Sequence, residues 1–540
     1  MTTVASILAD ALKELGVSYV FGVPSGNWVD YMAAIQEVEG IEFILVSNES
    51  SAGFMADVHW RLTGRVAACF ATFGPGACNL TTGVCGGYLD RAPMIALTDE
   101  MNDTMLHRTA QMNIDHQALF QPITRWTTRL DPLRVRETVY KAYQLAVSEV
   151  PGPVHIGLPA GIGLDEVSDG PLLVLQSKPI PHASPEALQT MKDLFIRSRK
   201  PVVALGITAV RAGVRELVLQ LVASFKLPVV LTPMAKGMVP EDHPCYAGVL
   251  AHALGDMVGK IHQQADCVIG IGYDPVEINY EDWMPEVPLI HIDTSPADLD
   301  QKRFTLGCDV VGDLSQSLRY LLDIVCDQKE WDLDLIGQQR QAMFERLAPP
   351  EGVFGPRYVL EQLRKMLPRN GIMTCDVGAH LHLIGQQWKT DMPESQLMTN
   401  GCSSMGFAMP AAVAAKLSCP ERPVCCVVGD GGFYMMLGEL ATARRLQTNI
   451  VFVVINDAYL SLIRIKQERK GFDRYGTLLE ADNEARMQTK SLLSLPVFEA
   501  RNREQYDHVL NEAFAVEGPA IVEVFVTTDD YDELVLKGNR

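Results

Sequence analysis

The sequence predicts an α/β protein of three consecutive α/β domains with mostly parallel sheets, and three observations carry that expectation. Short apolar runs recur along the chain, from Tyr19-Val20-Phe21 to Ile521-Val522-Glu523-Val524, and most end at a glycine or a polar residue. Unbroken runs of this kind suit strands buried on both faces, as parallel strands are. Stretches with apolar residues at helical spacing separate them, giving strand-helix-strand alternation. Finally, a chain of 540 residues exceeds one core, since single cores rarely grow past about 250–300 residues. Two loose stretches divide it: residues 165–190, rich in proline and serine, and the polar run Asp327–Gln339 followed by Pro349-Pro350. The expected domains are therefore residues 1–170, 190–335 and 350–540.

The composition is that of an ordinary globular chain, 47% hydrophobic and 21% charged. A formal net charge of −20, with no offsetting basic cluster, argues against a nucleic-acid partner. No apolar run approaches the roughly 20 residues that cross a bilayer, and no basic region precedes an apolar stretch at the N-terminus. The 12 cysteines lack tight metal or redox spacing, so they read as reduced core thiols of a cytoplasmic protein.

In the first domain, Val4 to Leu15 has helical spacing and Gly16 ends it. Tyr19–Gly22 and Ile41–Val46 read as strands, and Glu49 follows the second at the start of a helix through Met55 and Trp60. A glutamate at that place is explained by the helix dipole alone. Val66–Ala71 is the next strand, and Gly74-Pro75-Gly76 turns it into a helix carrying Asn79. No Lys-Ser/Thr follows, so this is not a phosphate loop. The strand Met94–Thr98 leads to a polar stretch, Met101–His116, and then to Phe120-Gln121. His107 and His116 have a reference pKa suited to proton transfer, with no partner visible in the sequence. Val154–Ile156 closes the domain as a strand. In the middle domain, Pro201–Gly206, Leu227–Thr232 and Cys267–Gly272 are parallel-strand candidates. Gly206 followed by Gly213 falls short of a dinucleotide fingerprint.

The last domain holds the densest chemistry. Pro423–Val428 reads as a buried strand, Gly429-Asp430-Gly431-Gly432 as a sharp turn, Leu437–Leu446 as a helix and Ile450–Ile455 as a second strand ending at Asn456-Asp457. The glycines let backbone N–H groups approach an anion. Asp430 and Asn456-Asp457 fall at C-terminal strand ends, where open α/β sheets bind ligands, and hard oxygen donors there suit Mg²⁺. A glycine turn and an Asn-Asp turn in an ordinary domain would look the same. Ile372–Cys375 is another strand, with Asp376-Val377-Gly378-Ala379-His380 at its exit.

The Gly-Asp-Gly start and the Asn-Asp pair resemble the diphosphate-binding motif of thiamine diphosphate enzymes, and Asp430 and Asp457 are 27 residues apart. Asn48–Asp57 and Phe73–Asn79 resemble that superfamily's pyrimidine-side domain, in the family's order. Within it, Phe120-Gln121, Gly272–Glu277, His291-Ile292-Asp293 and Val311-Gly312-Asp313 resemble the acetolactate synthase branch, in its catabolic, FAD-independent form. The resemblance implies the thiamine diphosphate-binding fold over essentially the whole chain. It also implies a cofactor site in which Glu49 bonds the aminopyrimidine ring, with Pro75 and Asn79 beside it. Met405 would press under the cofactor, and Gly429, Asp430, Gly431, Gly432 and Asp457 would bind the diphosphate. Asp430, Asp457 and Tyr459 are the implied Mg²⁺ ligands. Asp457 departs from the family's asparagine, and its extra charge is expected to weaken cofactor affinity or shift metal dependence.

The implied catalytic residues are Glu49, Phe120, Gln121 and His116. The implied reaction is decarboxylation of a 2-oxo acid, pyruvate, with transfer of the resulting carbanion to a second carbonyl compound. FAD, which some relatives bind in the middle domain, is possible but not favoured, because the Gly272–Glu277 motif is of the FAD-independent kind. The first domain of one chain is expected to face the last domain of its partner, in a homodimer or homotetramer with active sites at the chain interface. A decarboxylase releasing an aldehyde, and a ligase or lyase acting on aldehydes or other 2-oxo acids, are the alternatives. A cofactor-free interaction protein is the remote one. Gly471–Leu495 lacks the family's usual aromatic-glycine pair, and Tyr531–Arg540 shows no helix suited to cover a site.

Overall fold

The computed structural model describes residues 2–170, 179–479 and 493–536. They form two compact units: the described part of 1–178 with 401–421 and 435–450, and the described remainder of the chain.

The first unit is built on a six-stranded parallel sheet. Its strands are β1 (Tyr19–Gly22), β2 (Glu42–Leu45), β3 (Ala68–Ala71), β4 (Ile95–Glu100), β5 (Thr127–Arg129) and β6 (Val154–Pro159), in the order β2-β1-β3-β4-β6-β5. The central strands β3, β4 and β6 are buried at every residue; β3 is apolar throughout, whereas β4 and β6 also bury Thr98, Asp99, Glu100 and His155. The helix α1 (Val4–Glu14) buries Val4, Ile7, Leu8, Ala11 and Leu12, the i, i+3, i+4 stripe that the sequence carries.

Two further helices leave strand ends. The side chain of Asn48 accepts from Ser50 N and caps α2 (Glu49–Thr63), and Gly64 at φ 68° ends it. Proline opens α3 (Pro75–Leu89), where its missing N–H costs nothing. These helices cross with their backbones in contact: a Cβ at Gly53 would lie 2.4 Å from the carbonyl carbon of Gly83. Only glycine permits that approach, and it draws the two helix starts together. The short helix α4 (His116–Phe120) follows, capped by Asp115.

The second unit contains two six-stranded sheets. The first has β7 (Pro201–Leu205), β8 (Val229–Leu231), β9 (Tyr246–Val249), β10 (Cys267–Ile271), β11 (Leu289–Asp293) and β12 (Leu306–Val311), all parallel, in the order β9-β8-β7-β10-β11-β12. The other has β13 (Ile372–Cys375), β14 (Gln396–Leu397), β15 (Val424–Gly429), β16 (Ile450–Asn456), β17 (Val497–Ala500) and β18 (Ala520–Phe525), ordered β14-β13-β15-β16-β18-β17. Counted within its own sheet, this is the strand order of the first unit's sheet.

The structure differs from the sequence reading in three instructive places. The polar run Asp327–Gln339 leads into a helix, α5 (Leu333–Leu347), capped by Asp332 and burying Ile336, Met343 and Leu347. Its apolar stripe is too narrow to stand out among its polar residues. The helix expected over Leu437–Leu446 starts earlier: α6 (Asp430–Met435) begins at the aspartate itself, and a second helical piece spans Glu439–Arg445. Short strands such as β5, β14 and β17 escaped notice because they carry little apolar signal. The unusual segment Gly471–Leu495 lies largely outside the described residues, as do the last four residues of the tail. Tyr531, Leu534 and Val535, earlier in that tail, are buried.

Candidate active site

In the first unit the exits of β2, β3 and β4 present acids and a glycine turn. Glu49, 9% exposed at the start of α2, has one oxygen, Oε2, accepting from Asn79 Nδ2 of α3 at 3.0 Å. Its other oxygen, Oε1, lies 3.1 Å from where a Cβ at Gly76 would be. The Gly74-Pro75-Gly76 turn therefore leaves room for this carboxylate. Of the residues expected at one site, Glu49 and Asn79 meet, with Gly76 against the carboxylate, and Pro75 of the same turn is exposed. Met405 is half-buried in the same unit. Its loop is tied down where Gly401 N donates to Asp90 Oδ1 at 2.8 Å, and Asp90 is in turn paired with Arg61 at 3.1 Å.

Phe120 and Gln121 part company. Phe120 is fully buried, its ring stacked on His155 at 4.1 Å, whereas Gln121 is exposed. His116, expected as a catalytic group, is built into the interior instead. It is 3% exposed, with Nε2 accepting from Gly74 N at 3.2 Å and Nδ1 bonded to Thr98 Oγ1 at 2.9 Å. Burial pushes its pKa down to about 4 and holds that of His155 well below the ordinary range. A ring with both nitrogens engaged has no free position for proton transfer to a substrate. Nearby, Asp99 accepts from Ser25 Oγ, and burial pushes its carboxyl up to about 6.

In the second unit the exits of β13, β15 and β16 gather. Asp430 Oδ1 accepts from Gly431 N at 2.9 Å, and Oδ2 from Ala458 N at 2.8 Å. Asp457 Oδ1 accepts from Tyr459 N at 3.0 Å, and Oδ2 from Ser461 Oγ at 2.7 Å. Asn456 is turned inward, its amide donating to Glu523 Oε1 at 2.7 Å. Burial, followed by the Asp457 and Asp430 charges, holds the Tyr531 phenol well above its ordinary pKa. A Cβ at Gly432 would lie 1.8 Å from Asp376 Oδ2, which makes glycine obligatory there. Tyr459 pairs with Leu478, and Leu479 N donates to Ala458 O at 2.8 Å, so the start of the unusual segment folds over this loop.

His380 was missed as a site residue. It is buried, its Nε2 has no hydrogen-bond partner, and its Cε1 lies 3.3 Å from where a Cβ at Gly429 would be. A buried ring nitrogen without a partner beside the glycine turn marks a polar position open to a ligand. The signal in the sequence was a histidine closing the Asp376–His380 run at a strand exit.

The middle sheet has the strand order of a dinucleotide-binding fold, with its switch point between β7 and β10. That crevice is filled by the chain itself. A Cβ at Gly206 would lie 2.6 Å from Gly272 O, and one at Gly272 would lie 2.1 Å from Ala209 N. Tyr273 and Tyr280, both fully buried, stack at 4.3 Å beside it.

Parallel α/β sheets with carboxylates and glycine turns at their strand exits suit an enzyme that holds a phosphorylated cofactor. Comparison with known proteins narrows the class. Residues 2–119 match the thiamine pyrophosphate enzyme N-terminal TPP-binding domain, 188–321 the central domain and 376–524 the C-terminal TPP-binding domain. The chain belongs to the thiamine pyrophosphate enzymes, and within them it resembles acetolactate synthases. An acetolactate synthase of Arthrospira platensis is 30% identical over 98% of this chain and 95% of its own length. A probable acetolactate synthase large subunit of Methanocaldococcus jannaschii is 31% identical over 85% of this chain and 81% of its own. An acetolactate synthase of Bacillus subtilis is 27% identical over 97% and 93%.

Proposed function

We propose that this protein decarboxylates pyruvate and joins the remaining two-carbon unit to a second pyruvate, forming acetolactate, the product its relatives are named for. The observation that carries the reading is Glu49, a buried carboxylate clamped by Asn79 against a turn that leaves one of its oxygens room. Thiamine diphosphate, held between these residues, would supply a carbon nucleophile and an electron sink for loss of carbon dioxide from a 2-oxo acid. Glu49 holds the proton shared with a nitrogen of the aminopyrimidine ring, and its dry surroundings keep that hydrogen bond from competing with water. Pro75 and Asn79 line the same side, and Met405 supplies an adaptable apolar support.

The residues of the second unit suit the other end of the cofactor. Asp430 and Asp457 offer hard oxygen ligands for Mg²⁺, with Tyr459 completing the loop. Gly429, Gly431 and Gly432 bring backbone close to the diphosphate, with His380 buried beside the turn. Exposed Gln121 is the substrate-side residue, with Phe120 as its buried support. FAD has no part in this reading. The site is expected to form between chains of a homodimer or homotetramer, in the cytoplasm, with domain boundaries near 1–170, 190–335 and 350–540. The 12 cysteines, all free thiols, accord with that compartment.

The test is carbon dioxide release and product identification with thiamine diphosphate, Mg²⁺ and pyruvate alone. Acetolactate upholds the proposal. Acetaldehyde reassigns the protein as a decarboxylase, and no turnover removes pyruvate as donor.

A further inference from the structure

The hydrogen bonds through His116 form one chain, and its direction is determined. Gly74 N–H can only donate, so His116 Nε2 accepts, at 3.2 Å. A neutral imidazole that accepts at Nε2 carries its proton on Nδ1, which donates to Thr98 Oγ1 at 2.9 Å. The Thr98 hydroxyl then gives its own proton to His155 Nε2, at 2.8 Å. The pattern repeats: His155 Nδ1–H donates to Thr127 Oγ1 at 2.7 Å, and the Thr127 hydroxyl to Gln117 Oε1 at 2.8 Å. Gln117 Nε2 donates to Glu100 Oε1 at 2.5 Å and to Thr128 O at 3.1 Å, and Arg129 closes the far end on Glu100.

Both ends impose the same direction. Gly74 offers only a donor, and the Glu100 carboxylate only accepts. Reversing the Gln117 amide would set its oxygen against that carboxylate. The two histidines stay neutral in the interior, as their lowered pKa values indicate. Aligned bonds of this kind polarise one another, which strengthens the whole chain. Glu100, His116 and His155 also bring ligand atoms within 4.8 Å of one another, a spacing a metal would accept. Every ring nitrogen among them already has a hydrogen-bond partner, so the hydrogen-bond reading accounts for the cluster.

We propose that His116, Thr98 and His155 are positioning residues: their one-way chain fixes His116 as acceptor for the Gly74 amide and thereby holds the Gly74–Gly76 turn against Glu49. Gly74 sits at φ 55° and ψ −105°, an unusual conformation, and its amide is what the chain grips. Gly76, two residues on, flanks the Glu49 carboxylate. The link to turnover rests on the role proposed for Glu49; the tautomers do not.

The test is nitrogen NMR of the full-length, cofactor-free protein labelled with ¹⁵N-histidine, with His116→Gln and His155→Gln used to assign the two resonances. Both histidines are expected to be neutral at pH 7, protonated on Nδ1 with Nε2 bare. Thr98→Val leaves Gly74 to hold His116 Nε2 bare but takes away the acceptor of its Nδ1–H, so the His116 Nδ1 resonance should shift. In the holoenzyme, kcat should fall about tenfold with KM for the 2-oxo acid within about twofold. His116→Gln keeps an acceptor for Gly74 and a donor for Thr98, so it should retain several times the kcat of His116→Leu. An Nε2–H or doubly protonated ring at pH 7 overturns the proposal. So does a Thr98→Val variant with an unaltered His116 Nδ1 resonance and kcat, or equal activity in the Gln and Leu variants. A wild-type protein without thiamine diphosphate turnover overturns the proposed function instead, and the NMR result still reads the chain.

Discussion

The sheet of the first unit and the last sheet of the second have the same strand order, yet they place opposite chemistry at equivalent exits. After the third strand of each comes a glycine turn and a helix: Gly74-Pro75-Gly76 in one, Gly429-Asp430-Gly431-Gly432 in the other. After the fourth come acids, Asp99 and Glu100 in one and Asp457 in the other. In the first unit the acids are folded inward, onto Ser25, Gln117 and Arg129, and the carboxylate beside the turn is Glu49, from the exit of β2. In the second unit the turn itself carries the acid, and backbone N–H groups orient both Asp430 and Asp457. In the proposed function, one topology thus serves proton handling where its acids are withdrawn, and metal binding where they are presented. The difference lies in the residues at the strand exits, not in the architecture.

Separating the two halves by mutation is the most direct way to break this comparison. Glu49→Gln should lower kcat by about 100-fold or more while thiamine diphosphate still binds, because only proton handling is lost. Asp430→Ala should instead abolish cofactor retention, measured by fluorescence titration with and without Mg²⁺. Equal effects of the two on binding would erase the distinction.

The inward-facing network sharpens it next. His116 has a pKa near 4 in the folded chain against 6.5 unfolded, so the native state binds fewer protons between those values. Stability is therefore full above pH 6.5 and is lost as pH falls towards 4, by about 3 kcal/mol for this group. Thermal unfolding across that window, with His116→Gln lacking this contribution, checks it.

Backbone contacts come third. Gly53→Ala forces α2 and α3 apart and should cost about 1–3 kcal/mol, seen as a lower melting temperature, with Glu49 and Asn79 displaced. Gly432→Ala drives a Cβ into Asp376 and should weaken Mg²⁺-dependent cofactor binding as well as stability. Smallest is Asp457→Asn: removing one charge beside the diphosphate should tighten cofactor binding by a factor of about two to five, read by titration.

Much of this was legible in the sequence, for identifiable reasons. Buried parallel strands announce themselves as apolar runs, so β3, β4, β10, β13, β15 and β16 were visible. Glu49, Asp430 and Asp457 stood next to strand ends and glycine turns, where their spacing carried the resemblance. Edge strands such as β5 and β17 and the helix α5 were not legible, because half-exposed elements carry mixed patterns.

The sequence by itself determined the α/β alternation, the glycine turns and which acids stand at strand exits, because these are local: a run of apolar residues, a turn that only glycine makes, a carboxylate next to it. Only the tertiary structure decided which of those groups are available. His116 looked like a candidate for proton transfer until Gly74, Thr98 and His155, from other parts of the chain, were found around it. His380 looked ordinary until its buried nitrogen proved to lack a partner beside Gly429. Whether a polar side chain is occupied or open depends on residues distant in sequence, and that is settled only when the chain has folded.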